Sequence, residues 1–461
     1  MRFEFVHFAD AHVGTEQYKA PVRYNDFGRT YLKVVTYCCA QRVRFVIVAG
    51  DLFNSDDIWA MTHDQVHAGL DQLRQAGIPV LAVRGNHERV RGPNRSKLWL
   101  QSLAGRGLLR LLDIEVGADN RVALLPFDPE KGTGGYVDLD GVRIAGLGYQ
   151  GSTTAAAIQG AADALAQMPR EGIEYTILIA HAAMQGYLPN YEGGLTAQQM
   201  APLEPYVDYV ALGHIHKAYQ VTHQLPDGTV EPWILNPGSL DTFAINEAEW
   251  DRGYYHVTVD TEARPRHDAR LCKPLIRPVL SVSLKVNELT CPQLLHEAVR
   301  AALLAQAEQQ PRTRKPIAQV CLEGTLHFDR RDLDIEAIQE VVRECCDPLV
   351  ALVKDHTTSV ESSSGSEGGQ SVDLGQLEYD TFRDSWAGDV RYRDQAAEYA
   401  RLTSEVKGLL LSDAPPEKIA AELRQRREAL EQPPPTEASA LPLNGQLQLS
   451  LDQAAAAEVV P

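Results

Sequence analysis

The sequence predicts a layered α/β fold, followed by a small α+β domain and a run of C-terminal helices. Three observations lead to it. Up to about residue 280, short β-branched runs alternate with helical stretches, which is the pattern of an α/β domain. Residues 281–356 then switch to strand, helix, strand, helix and strand in close succession. Beyond a Ser-, Gly- and Glu-rich stretch at 357–376, the composition turns helical again.

Taken in order, the strand segments of the first part are RFEFVHF (2–8), RFVIVAG (44–50), IPVLAVRG (78–85), VRIAGLG (142–148), YTILIA (175–180), VDYVALG (207–213), WILNPGS (233–239) and GYYHVTVD (253–260). In the second part, VLSVSLKV, IAQVCLEGTL and LVALVKD read as strands, with CPQLLHEAVRAALLAQAEQ and DIEAIQEVVRECC as helices between them. The expected boundaries are 1–280, 281–356, a flexible acidic linker at 357–376, helices at 377–431 broken at Pro415 and Pro416, and a disordered tail at 432–461. No repeat of 20 to 50 residues is visible.

Composition narrows the classes. Apolar residues make up 44% of the 461 and charged residues 23%, as in globular proteins. No apolar run reaches the roughly 18 residues of a membrane span, and Met1 leads directly into a strand rather than a secretory signal, so the expectation is a cytoplasmic protein. The seven cysteines include no C-x-x-C, which argues for reduced thiols and against a thiolate zinc cluster. The net charge of −18 disfavours a nucleic-acid partner at first sight. Residues 361–461, however, carry 18 acidic and 9 basic side chains, half of that excess. A basic patch elsewhere can still hold phosphates, since charges in salt act over only about 8 to 10 Å.

The chemistry lies at the strand ends. Asp10 and His12 follow the first strand, Asp51 the second, and Asn86 with His87 the third; His181 follows YTILIA, and His214 with His216 follow VDYVALG. One Asp-x-His pair means little. Five strands delivering ligand types at their C-terminal ends, where open α/β sheets bind ligands, form a set. Asp10 and His12 are two apart because alternate strand residues share a face. Carboxylate, amide and imidazole donors without thiolate suit Mn²⁺, Fe²⁺ or Zn²⁺. Asp51 is placed to bridge two ions, an arrangement that activates water against a phosphoryl group. The expected reaction is hydrolysis of phosphate esters.

In this order and spacing, D-x-H, GD, GNH[D/E], H and GHxH resemble the calcineurin-like metallophosphoesterase superfamily over roughly residues 1–260. The resemblance implies the metallophosphoesterase fold, a layered β-sandwich flanked by helices. It implies one ion on Asp10, His12, Asp51 and His216, and another on Asp51, Asn86, His181 and His214, with His87 contacting the phosphate or protonating the leaving oxygen. HFADAHVGTEQY, RYNDFGR, AGDLFN, RGNHE, GLGYQG, LGHIHK and NPGSLDT further resemble the DNA-repair nuclease family SbcD, or MRE-eleven. That family implies a Mn²⁺-dependent exonuclease of 3′-to-5′ polarity and an endonuclease on single strands. It also implies a capping domain that binds DNA, C-terminal helices that dock on an SbcC or RAD-fifty type ABC ATPase, pairing of two chains, and a nucleoid-associated place in the cytoplasm. Asn54 follows GDLF where many relatives carry a histidine near the phosphate. An amide still donates a hydrogen bond, so a changed rate rather than a loss is expected there.

Other signals weigh less. GLGYQG matches a dinucleotide fingerprint, but the next strand ends in His181 instead of an acid. His7, His63 and His67 read as packing or surface residues, and Trp59, Trp99 and Trp250 as core or interface. Arg89, Arg91, Arg95 and Lys97 follow His87 directly and are expected to grip a DNA backbone. Arg23 and Arg29, flanking YNDFG, and RTRK at 312–315 are further candidates. Helix 63–77 could form a dimer face or cover the sheet, and the resemblance favours the dimer. The rival readings are a phosphodiesterase or phosphatase for a small molecule or protein, and a catalytically silent scaffold.

Overall fold

The computed structural model describes residues 1–89, 99–117, 121–188, 193–225, 227–308, 314–359, 374–387, 392–411 and 424. They fall into two compact units, Met1–Ser363 and Ser364–Pro461.

The first unit is a β-sandwich. One sheet runs in the order His267–Cys272, Tyr254–Asp260, Arg2–Phe8, Phe45–Val48, Val80–Ala82, Arg110–Leu112, Thr133–Gly134; the other runs Tyr219–Gln224, Val230–Asn236, Tyr209–Gly213, Tyr175–His181, Val142–Leu147, Tyr136–Leu139. The period of two explains the layers. Phe3, Phe5, Phe45 and Ile47 of the first sheet meet Ile144, Ile177, Ile179 and Tyr209 of the second in the sandwich core. Val6, Phe8, Val46 and Val48 face the other way, onto the helices Pro21–Gln41, Ala60–Gln75 and Trp99–Gly105. Leu178, Ala180, Val210 and Leu212 likewise bury the helix Thr154–Gln167 on the far side. The result is the helix-flanked sandwich expected from sequence.

Helix Pro21–Gln41 starts with Pro at its first turn and stops at Arg42, which turns left-handed (φ 53°) and returns its N–H to Cys38 and Cys39. Helix Ala60–Gln75 buries Val66, Leu70 and Leu73 against the sheet. At its start Trp59 is 71% exposed, so the expectation of a core or interface tryptophan fails there for the core.

The cap keeps its own core while belonging to the same compact unit as the sandwich. Its strands Val279–Lys285, Ile317–Leu326 and Val350–Ser359 are all parallel. Parallel neighbours need crossovers, and helices Pro292–Glu308 and Ile335–Cys346 supply them, the second capped by Asp334 on the Ala337 N–H at 2.9 Å. The last strand runs to Ser359, so residues 357–359 are strand instead of linker, paired with Gly324, Thr325 and Leu326.

In the second unit, helices Leu374–Ala387 and Ala396–Leu411 pack on each other, with Trp386 donating to Thr403 at 2.9 Å and its ring tilted against that of Tyr399 at 5.1 Å. The first begins three residues earlier than expected. The 432–461 tail lies outside the described residues. Among the described residues, no helix is long and apolar enough to cross a membrane.

Candidate metal centre

Five strand ends, three from one sheet and two from the other, converge at one end of the sandwich. Four of the residues they deliver sit on left-handed backbone: Asp10 (φ 50°), His12 (45°), Asp51 (51°) and His214 (98°). Such conformations persist in non-glycine residues only where surroundings enforce them. Here the enforcement is visible in hydrogen bonds between the loops. Asp10 N donates to Gly50 O (3.1 Å), His12 N to Asp51 O (3.0 Å), His214 N to Asp10 Oδ2 (2.9 Å) and His87 N to Asp51 Oδ1 (2.9 Å). The loops approach so closely that a Cβ at Gly85 would collide with the Asp51 carboxylate, and one at Gly50 with the His181 ring.

The donor atoms gather accordingly. Asp10, His12 and His216 offer atoms within 4.8 Å of one another, as do His12, Asp51 and His87, and Asp10, Asp51 and His181. Asn86 Oδ1 lies 2.9 Å from both His181 Nε2 and His214 Nδ1, and Asp51 Oδ2 is 3.3 Å from His181 Nε2. His12 Nε2 faces His216 Nε2 at 3.1 Å. These separations resemble the roughly 3 to 3.4 Å between neighbouring donors around an ion bound at about 2.1 Å.

The residues fit divalent cations on a further observation. Asp10 Oδ1, which looks into the cluster, is buried and has no hydrogen-bond partner, a costly state for a carboxylate oxygen unless a cation answers it. The rings are pre-aimed as well. His181 donates from Nδ1 to Ala49 O (2.8 Å) and His216 from Nδ1 to Glu247 Oε1 (3.0 Å). Both therefore keep Nε2 for a ligand.

Burial and mutual charge set the protonation. Burial pushes Asp10 up to about 6. Burial would raise Asp51 too, but the His181, His12 and His87 imidazoles outweigh it and hold its carboxyl well below the usual range. For His181, burial is overcome by Asp51 and then Asp10, which lift it to about 9. Burial lowers His214 to about 4 and takes His12 well below its ordinary value. The Glu247 bond raises His216 against its burial.

His87 donates from Nδ1 to the Asn54 carbonyl at 2.9 Å, so Nε2 is the ring nitrogen left for chemistry. The Asn54 backbone thus orients His87, while its side-chain Oδ1 is buried without a partner.

The basic candidates divide. Arg89 is exposed beside His87. Arg91, Arg95 and Lys97 lie outside the described residues. Arg29 is half exposed, with one contact to Asp26 at 3.3 Å. The expectation that Arg23 grips DNA is corrected: it is fully buried, and its guanidinium is occupied by Asp26, Asp241, Gln17 and the Thr242 carbonyl. Its helix position turns it inward, a register that the flanking YNDFG does not reveal.

Two acids escaped the sequence reading. Glu88 takes the N–H of Phe53 (2.9 Å) and of Gly85 (3.0 Å), tying the Asp51 loop to the Asn86 loop. Its burial raises it to about 7, with Asp51 adding to the effect. Glu247 orients His216. Position after GNH was a signal for Glu88, whereas nothing local marks Glu247.

Comparison with known proteins gives a consistent result. The calcineurin-like phosphoesterase family model matches residues 3–218. The chain is 28% identical over 252 residues to the DNA double-strand break repair protein Mre11 of Archaeoglobus fulgidus, covering 53% of this chain and 52% of that one. It is 27% identical over 249 residues to the Mre11 of Methanococcus maripaludis, covering 53% and 59%. With the Mre11 of Haloferax volcanii it shares 26% over 447 residues, 92% of this chain and 86% of the relative. It thus spans about half the length of the first two relatives. Fold, ligand-type clusters and family match agree: residues 3–218 form a calcineurin-like metallophosphoesterase domain.

Proposed function

We propose that the protein is a DNA nuclease that hydrolyses phosphodiester bonds with two divalent ions, Mn²⁺ foremost, as the nuclease subunit of a double-strand-break repair complex. The observation that carries the two-ion reading is Asp51, whose carboxylate belongs to two donor clusters, one with His12 and His87 and one with Asp10 and His181. The repair-protein relatives support DNA as the substrate. Asp10, His12, Asp51 and His216 would hold one ion, and Asp51, Asn86, His181 and His214 the other. Bound there, such ions would lower the pKa of a shared water and neutralise phosphoryl charge.

The chain's own residues supply the rest. His87, fixed through Nδ1, presents Nε2 to protonate the leaving oxygen. Asn54 stands beside it as a phosphate contact. Arg89 and Arg29, with Arg91, Arg95 and Lys97, would hold the backbone phosphates of DNA. The C-terminal helices would dock on an ATPase of the SbcC or RAD-fifty type, and two chains would pair as in the repair family, in the cytoplasm near the nucleoid. Cleavage would run 3′ to 5′ on duplex ends.

The test is degradation of end-labelled linear duplex by the purified chain with Mn²⁺ or Mg²⁺, beside Asp51→Asn and a small phosphodiester. Mn²⁺-dependent shortening that vanishes in the variant is the expected result. Cleavage of the small diester while DNA stays intact, even with the ATPase present, would leave the metal centre standing and remove the DNA assignment.

A further inference from the structure

Outside the ligand cluster, a dense gathering of charge occupies the seam between sandwich and cap. Asp26, fully buried on the helix Pro21–Gln41, receives Arg277 on both carboxylate oxygens (2.6 and 3.2 Å), Arg23 at 3.1 Å, Arg29 at 3.3 Å and Arg314 at 3.5 Å. Arg277 stands two residues before the first cap strand and Arg314 three before the second. One buried carboxylate thus fastens the cap.

The other arm of Arg23 leads toward the metal centre. It reaches Asp241 Oδ1 at 3.1 Å. The Asp241 carbonyl accepts Arg252 at 3.2 Å, and Arg252 also holds Ser239 Oγ (2.9 Å) and Glu247 Oε2 (3.5 Å). Glu247 Oε1 then takes the Nδ1–H of His216 at 3.0 Å. Every side chain between the cap and His216 on this path is at most 10% exposed, so its contacts are little screened by water. A second link is apolar. Val279 and Ile317 of the cap pack with Ile245, the first residue of the short turn Ile245–Glu247.

We propose that Asp26 is a positioning residue for the metal centre: by docking the cap's arginines it fixes Arg23, and through Asp241, Arg252 and Glu247 it sets the ring of His216. The proposal rests on the reading of His216 as a metal ligand. The physical reason is the arithmetic of buried charge. Without the Asp26 carboxylate, four guanidinium groups face one another around its place. Uncompensated buried charge of that kind is strongly unfavourable, so the cap arginines leave and Arg23 shifts onto Asp241. The strain then falls on Arg252 and Glu247, the partners that hold His216 Nδ1. Loss of such outer partners typically weakens metal binding about 10- to 100-fold.

The experiment is titration of Mn²⁺ into the metal-free full chain, with free Mn²⁺ read by electron paramagnetic resonance. The wild type is expected to take two ions. Asp26→Asn is expected to weaken one of them about tenfold and leave the other unchanged. Arg277→Lys keeps the charge but loses the two-pronged contact, and is expected to do the same, which decides the matter if Asp26→Asn does not fold. Glu247→Gln should weaken the same ion, and the double variant Asp26→Asn/Glu247→Gln should be no weaker than the weaker single one, because both break one chain of contacts. A melting transition identifies the folded variants. Wild-type binding of both ions by folded Asp26→Asn and Arg277→Lys, or losses that simply add in the double variant, would overturn the proposal. Unchanged uptake in His216→Ala would instead overturn the ligand reading beneath it.

Discussion

His87 is tied to the rest of the centre by its backbone N–H and its Nδ1, which leaves Nε2 for the proton transfer proposed for it. His87→Gln is expected to lower kcat on a phosphodiester about 10²- to 10⁴-fold while Mn²⁺ uptake stays at the wild-type level; reduced uptake would make it a ligand instead. The arginines separate in a different way. Arg89→Ala and Arg29→Ala should each reduce the slope of log K against log salt for duplex DNA by about 0.9, whereas Arg23→Ala should show instead as lost stability of about 3 to 5 kcal/mol in denaturant melts, the effect of breaking a buried pair. The candidate ligands were legible because each lies at or just past the end of a strand, within a few residues of the pattern that announces it. Arg23 was not, because its partner Asp241 is 218 residues away and a charged residue near a turn looks the same whether it faces water or a buried acid. Glu247 was hidden for the same reason. His7 shows the opposite case, a core histidine bonded to Tyr209 (3.0 Å) and the Leu212 carbonyl (3.0 Å) and lowered by burial to about 3. A base lowered on folding stabilises above its unfolded value of about 6.5 and loses that stability as pH falls toward 3. Its share of the acid loss is about 1.4 kcal/mol per pH unit in that window. His7→Gln, which can keep both bonds without titrating, should flatten stability curves measured between pH 6.5 and 4.

At the level of elements, alternation within strands decided most of the architecture before any contact was known. Phe5 points into the sandwich and Val6 to the helices, and both are fully buried. Phe5 also lies 5.0 Å from the Phe45 ring and 5.3 Å from Tyr209 of the opposite sheet. Phe5→Ala is therefore expected to cost about 3 to 5 kcal/mol in urea unfolding, with an unchanged slope; a loss under 1 kcal/mol would mean the sheets do not close there. Composition misled at one edge. The Ser and Thr residues after Asp355 read as linker, yet the strand Val350–Ser359 continues through Thr357 and Thr358 because β-branched side chains suit a pleated ladder and the long central cap strand offers partners as far as Leu326. Pairing across the sheet, invisible in the local sequence, fixed that boundary.

For the whole molecule, the candidate metal centre is also a structural joint. Its donor residues come from both sheets, so ions bound there would tie the two halves of the sandwich, and the unfolded chain has no such site. Ions held at a hundred times their dissociation constant would add about 2.7 kcal/mol per site to unfolding. Chelation of a metal-loaded sample is expected to lower the melting temperature, and Mn²⁺ to restore it, with no such response in Asp51→Asn; an equal response in that variant would place the stabilising ion elsewhere. The left-handed backbone at Asp10, His12, Asp51 and His214 has a further consequence. Each costs an ordinary side chain about 1 to 2 kcal/mol that glycine would not incur. Heat resistance and ion capture therefore pull against each other at the same four positions. Glycine at Asp10 or Asp51 would relieve that backbone cost but strip the carboxylate that holds the His214 or His87 N–H, so under selection for thermal tolerance without divalent ions those two positions should resist replacement longer than His12 and His214.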